Sequence, residues 1–147
     1  MLTSLVLSLF LTAFAQEELL VKTEFGNVQG HYNELGAREW KGIPYASPPV
    51  GDLRWEYPKN PAPFSSTYDA VFNAPACAQV CNLPPGNCPD LSGTSEDCLY
   101  VTVMGPSEAP ADPAGYPVFV WIHGGAYEQG NYILTFLYII IVVIDDM

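Results

Sequence analysis

The sequence predicts a fold made mostly of short β-strands and loops, with one strand of the kind found inside a parallel sheet. Fourteen prolines and twelve glycines in 147 residues argue against long helices and for strands and turns. Short runs alternate apolar and polar residues, as in LLVKTEFGNVQGHY at 19–32 and CLYVTVMGP at 98–106. The run PVFVWI at 117–122 is nearly all apolar, as expected of a strand covered on both faces in a parallel sheet, and it ends abruptly in glycines. No internal repeat, heptad or long amphipathic helix is present.

The first fifteen residues, MLTSLVLSLFLTAFA, read as a secretory signal peptide. An apolar stretch at 5–14 precedes Ala13-Phe14-Ala15, which fits the small-x-small cleavage rule and places the mature start at Gln16. This stretch falls short of the roughly 20 residues that span a bilayer. A secreted, extracellular protein with no membrane span is therefore expected.

In LLVKTEFGNVQGHY the pair Gly26-Asn27 is the expected hairpin turn. AREWKGIPYA at 37–46 is the next strand, ended by a proline turn, and the proline-dense 47–63 is an ordered surface loop. CLYVTVMGP follows as a strand with Leu99, Val101 and Val103 on one face. SEAPADPAGYP at 107–117 is a polar connector, and the strand at 118–122 leads into His123-Gly124-Gly125-Ala126.

Between these strands lie Cys77, Cys81, Cys88 and Cys98. They are even in number and clustered behind a signal peptide, which points to disulfides. A zinc site is disfavoured, because the paired C-x2-C knuckles and a nearby histidine are both missing. Four cysteines permit three pairings. The nested one would staple a loop with little core of its own.

The formal charge is −11, and all five basic residues (Lys22, Arg38, Lys41, Arg54, Lys59) lie in the first 59 positions. That balance argues against a nucleic-acid partner, which needs a basic patch. An acidic surface can steer cationic ligands, but more often it keeps a secreted protein soluble.

Five blocks together resemble the type-B carboxylesterases, the family that includes the cholinesterases. They are GNVQG (26–30), WKGIPYASPPVGDLRW (40–55), CAQ (77–79), SEDCLYVTV (95–103) and PVFVWIHGGAYEQG (117–130). They occur in the family's order and cover about 20–130. The resemblance implies the N-terminal portion of an α/β-hydrolase fold, here with an incomplete sheet, occupying 16–131. It implies hydrolysis of small-molecule carboxylic esters with no cofactor and no metal. A serine on a G-x-S-x-G elbow attacks the ester carbonyl, a histidine oriented by Glu or Asp is the base, and backbone N–H groups hold the oxyanion.

By position in the family motif, the oxyanion donors are the N–H groups of Gly125 and Ala126, within the motif that begins His123-Gly124. Small residues belong there because a backbone donor reaches an oxyanion only where no bulky side chain intervenes. The resemblance further implies a Cys77–Cys98 disulfide, which leaves Cys81–Cys88 by remaining count. It also implies a buried ion pair between Arg54 and Glu96, a framework role.

The chemistry is otherwise incomplete in this stretch. The nearest approach to G-x-S-x-G, Gly105-Pro106-Ser107-Glu108-Ala109, lacks its last glycine and lies in the connector. His31 is expected at the surface, and His123 belongs to the oxyanion turn. In the family the nucleophile, acid and catalytic histidine lie beyond position 130, so this chain is expected to be inactive by itself. An esterase-like adhesion or binding module is the alternative reading. Trp55, Tyr57 and Tyr127 are candidates for lining a gorge, with core packing the commoner use. The tail at 132–147 departs from the family pattern and is expected to be an aberrant apolar segment. Its thirteen residues at 132–144 make about 20 Å of helix, against a bilayer core of about 30 Å.

Overall fold

The computed structural model describes residues 19–82, 91–108, 110–122, 124–126 and 128–130. The signal segment 1–15, the tail 132–147, Cys88, His123 and Tyr127 lie outside the described residues.

Among the described residues, six short strands form two three-stranded sheets. In the first, β1 (Leu20–Thr23) pairs antiparallel with β2 (Gly26–Gln29), and β2 pairs parallel with β5 (Tyr68–Asp69). In the second, β3 (His31–Tyr32) and β6 (Tyr100–Gly105) flank β4 (Arg38–Pro44), both antiparallel. The remaining regular structure among the described residues is two 3-10 turns, Gly51–Leu53 and Leu91–Gly93. Among these residues no helix is long and apolar enough to cross a membrane.

The β1–β2 turn falls at Glu24 and Phe25, not at the expected Gly26-Asn27. Thr23 decides the closure: its hydroxyl donates to the Gly26 carbonyl (2.8 Å) and accepts the Phe25 N–H (3.2 Å). Gly26 instead opens β2 at φ +131°, where an added Cβ would crowd Phe64. The glycine answers to a tertiary contact that local turn rules do not contain.

The β3–β4 hairpin is held by Asn33. Its side-chain oxygen accepts the N–H groups of Leu35 (3.0 Å) and Ala37 (2.9 Å), an Asx arrangement typical of tight turns. Strand β4 then breaks register between Trp40 and Ile43, and Gly42 occupies the irregularity at φ +67°. A Cβ at Gly42 would run into the Phe72 carbonyl, so this position requires glycine on both counts.

The core lies where the two sheets meet. Leu19, Val28 and Ala70 close against Trp40, and Ile43, Phe64, Tyr68 and Val103 pack around them. Ala70 also ties the sheets through its backbone, donating to Gln29 (2.8 Å) and accepting from Lys41 (2.7 Å). Of the residues expected on one face of β6, Val103 reaches this cluster, whereas Val101 is exposed. Met104 is the buried residue of that strand, opposite Glu39.

Glu39 is a buried carboxylate, with His31 Nε2 at 3.0 Å and Lys41 Nζ at 3.1 Å from Oε2. His31 is therefore half-buried with its Nε2 against the Glu39 carboxylate, not a free surface histidine. The cross-strand register sets this, since His31 stands directly opposite Glu39.

Two tyrosines close the rim of the core. Tyr68 stacks on Phe64 and donates to the Gly42 carbonyl (2.5 Å), while Tyr100 donates to Asp97 Oδ1 (2.9 Å). Burial pushes the Tyr100 phenol up from its ordinary 10.0 to about 12, helped by the hydrogen bond to Asp97 and its negative charge. The folded state thus prefers the neutral phenol. Its stabilising contribution is whole below about pH 10 and is lost as pH rises through about 12. The urea midpoint is expected to fall over that window more steeply in the natural chain than in Tyr100→Phe. Parallel declines would show that Tyr100 carries none of the effect.

Candidate functional site

The expected strand at 118–122 is not a strand here. No β-pairing is formed by these residues, and Val118, Phe119, Val120 and Ile122 are exposed. Apolarity gives a segment its preference for burial. A parallel strand also needs neighbours along both edges, and no other described residues supply them.

The segment leads into a turn that opens at Gly125. Gly125 has φ +142°, and a Cβ added there would fall on the Gln129 carbonyl. The Gly125 carbonyl accepts the N–H groups of Glu128 and Gln129, each at 3.1 Å, so it faces the inside of the turn. None of the described peptide bonds is cis, and a trans peptide sets its C=O and N–H on opposite sides. The Ala126 N–H, which belongs to the same peptide as that carbonyl, therefore points out of the turn.

Ala126 itself adopts φ +57°, left-handed backbone that costs an L-residue about 1–2 kcal/mol. Gly124 and Ala126 are exposed, and an added Cβ at Gly124 would meet nothing within 4 Å. No bulky side chain therefore screens this side of the turn. Such a flank can present N–H groups to a negatively charged oxygen, and strain held at one spot accompanies functional turns more than idle ones.

The far end of the turn is joined to the cysteine loop. The Gln79 side-chain amide donates to the Gly130 carbonyl (2.9 Å), and its oxygen accepts the Gly130 N–H (2.6 Å). The Asn82 N–H donates to Gln129 Oε1 (2.8 Å). Cys77 is bonded to Cys98, with Cα atoms 5.1 Å apart, and a parallel bridge joins Cys77 to Ser95. Cys81 is also in a disulfide. Closing a loop of this size stabilises a fold by about 3 kcal/mol through lost chain entropy.

Arg54 Nη1 contacts Glu96 Oε1, but the pair is not buried: the side chains are 55% and 43% exposed. Both partners sit on surface loops, Arg54 just after the Gly51–Leu53 turn and Glu96 just after the bridge at Ser95. A pair this open is worth about 0–1 kcal/mol, and the several kcal/mol of a buried pair do not apply. Arg54 also lies over the Trp55 ring, 5.5 Å from its centroid. Trp55 and Tyr57 are both exposed, so neither packs in the core.

Sequence reading finds 124–126 from its motif but does not single out Gln79. A glutamine in a loop carries no local sign of a partner 51 residues away.

The family model of the carboxylesterase family matches residues 17–140. The chain belongs to the carboxylesterase family. It is 42% identical over 111 residues to the para-nitrobenzyl esterase of Bacillus subtilis, covering 76% of this chain and 22% of that protein. It is also 42% identical over 112 residues to the cAMP-regulated D2 protein of Dictyostelium discoideum, covering 76% of this chain and 20% of that one.

Among solved structures, a thermophilic PNB esterase superimposes with a TM-score of 0.66 at 43% identity, over 76% of this chain and 22% of its own. A Geobacillus stearothermophilus carboxylesterase gives 0.61 at 37% identity, over 76% and 21%. This carboxylesterase-family chain thus has the N-terminal portion of the α/β-hydrolase fold, as strands and loops with small, incomplete sheets. It spans about a fifth of the length of the curated relatives it matches.

Proposed function

We propose that this chain is the N-terminal part of a secreted serine carboxylesterase, and that it supplies two backbone donors of the oxyanion hole. The observation that carries the reading is the inward Gly125 carbonyl, which turns the N–H of the exposed Ala126 outward. In the complete protein a serine attacks the carbonyl carbon of a carboxylic ester, and charge builds on the carbonyl oxygen. The N–H groups of Gly125 and Ala126, with one from the residue after the nucleophile, receive that charge. Each well-placed donor in a water-free site contributes on the order of 3 kcal/mol to the transition state. Secretion is supported by the signal-like segment at 1–15 and by the disulfides, which persist in oxidising compartments.

The test compares the complete protein that carries this chain with the 147-residue chain alone. The complete protein is expected to hydrolyse p-nitrophenyl esters and to be blocked by an organophosphate. The 147-residue chain alone is expected to release nitrophenol no faster than an albumin control. Organophosphate-sensitive turnover by the chain alone would overturn the placement of the nucleophile outside it. A complete protein inert to both reagents would overturn the esterase reading itself.

A further inference from the structure

The geometry points to Gln79 as a positioning residue that fixes the oxyanion turn from outside. This rests on the reading of Gly125 and Ala126 as oxyanion donors.

A backbone donor is useful only if its peptide plane is held still, and exposed turns are among the softest parts of a fold. The turn's inner bonds, from Glu128 and Gln129 to the Gly125 carbonyl, set its local shape. They do not fix where the turn sits relative to the rest of the chain. That placement needs bonds to a distant element.

Gln79 makes them. Its carboxamide pairs with both the N–H and the C=O of Gly130, as a neighbouring strand would, so the peptides on either side of Gly130 are both held. The amide nitrogen also donates to the Cys77 carbonyl (3.0 Å), which fixes the side chain's own orientation. Cys77 is in turn anchored by its disulfide to Cys98 and by its bridge to Ser95. Only one residue in the loop needs to be a primary amide. A carboxylate accepts but does not donate, and a methionine does neither. Gly130 sits at φ +136°, a conformation that L-residues rarely adopt.

The experiment reads hydrogen exchange amide by amide in the 147-residue chain with its disulfides formed. It compares the natural chain with Gln79→Met and Gln79→Glu. In Gln79→Met the Gly130 amide is expected to exchange at least about tenfold faster, corresponding to about 1.4 kcal/mol of lost protection. In Gln79→Glu the increase is expected to be smaller, since an acceptor for the Gly130 N–H remains. The amides of β4 and β6 are expected to be unchanged in both. An unchanged Gly130 amide in Gln79→Met overturns the proposal. Equal acceleration of β4 and β6 also overturns it, because Gln79 would then support the fold at large.

In the complete protein, Gln79→Met is expected to lower kcat about tenfold with KM little changed. If the Gly130 amide responds but kcat does not, the clamp stands and the oxyanion reading fails. If the Gly130 amide does not respond, the clamp fails whatever the kinetics show.

Discussion

Replacing Trp40 with alanine is expected to cost about 3–5 kcal/mol and to abolish a cooperative unfolding transition in this chain. Trp40 lies on β4 but packs against Leu19, Val28 and Ala70, which belong to or adjoin the first sheet. Its indole N–H donates to the Leu19 carbonyl (3.0 Å), and Gly30 lies so close that a Cβ there would strike the ring. Truncation therefore removes the joint between two sheets, opens a void beside Gly30 and leaves the Leu19 carbonyl without that donor. Folded domains are stable by only about 5–15 kcal/mol, so a loss of this size takes most of the margin. Trp40→Phe keeps a ring but loses the donor, and about 1–2 kcal/mol is expected for it. Urea titration of the two variants checks both values. A Trp40→Ala cost below about 1 kcal/mol would show that the sheets hold together without it.

The largest effect on activity is expected from Gly125→Ala in the complete protein. The added methyl would occupy the place of the Gln129 carbonyl, and φ +142° is nearly closed to L-residues. The turn must reopen, the Gly125 carbonyl loses its inward bonds, and the Ala126 N–H swings from its line. Losing one oxyanion donor lowers kcat by about 10²–10³-fold, and a similar fall is expected here with KM nearly unchanged. Gly93→Ala serves as the control, since an added Cβ there meets nothing within 4 Å. Its rate is expected to match the natural protein. If Gly125→Ala kept full kcat while melting normally, the donors would have to be sought elsewhere.

What could be read from the sequence follows a physical division. The strands β4 and β6 and the membership in the carboxylesterase family were legible, because periodicity and ordered blocks are local properties of the chain. The turn at Glu24 and Phe25 was not, because Gly26 is fixed by Phe64, far along the chain. The Arg54–Glu96 partners came from the resemblance, yet exposure depends on what packs over a pair, and no motif states that. Residues 118–122 show the same limit from the other side, since strand pairing belongs to two segments at once. At the candidate site the motif points to the proposed donors, while the Gln79 amide that bonds to Gly130 is invisible until the loops are seen together.

The bridge between Lys41 and Val71 and the bond between Cys77 and Cys98 bear on the order in which the chain assembles. Once β5 has docked, Val71 already stands beside β4. Once the cysteines are joined, residue 98 stands beside residue 77. Strand β6 then has only short slack to take up before it zips onto β4, whereas a reduced and undocked chain must close everything from Pro44 to Tyr100 in a single search. Each doubling of such a loop costs about 0.6 kcal/mol of closure entropy, and sheets built on distant pairings are slow to form. Oxidation is thus expected to shorten the search for the β4–β6 pairing as well as to add stability. While it is delayed, β4 keeps an open edge on which a second chain can template.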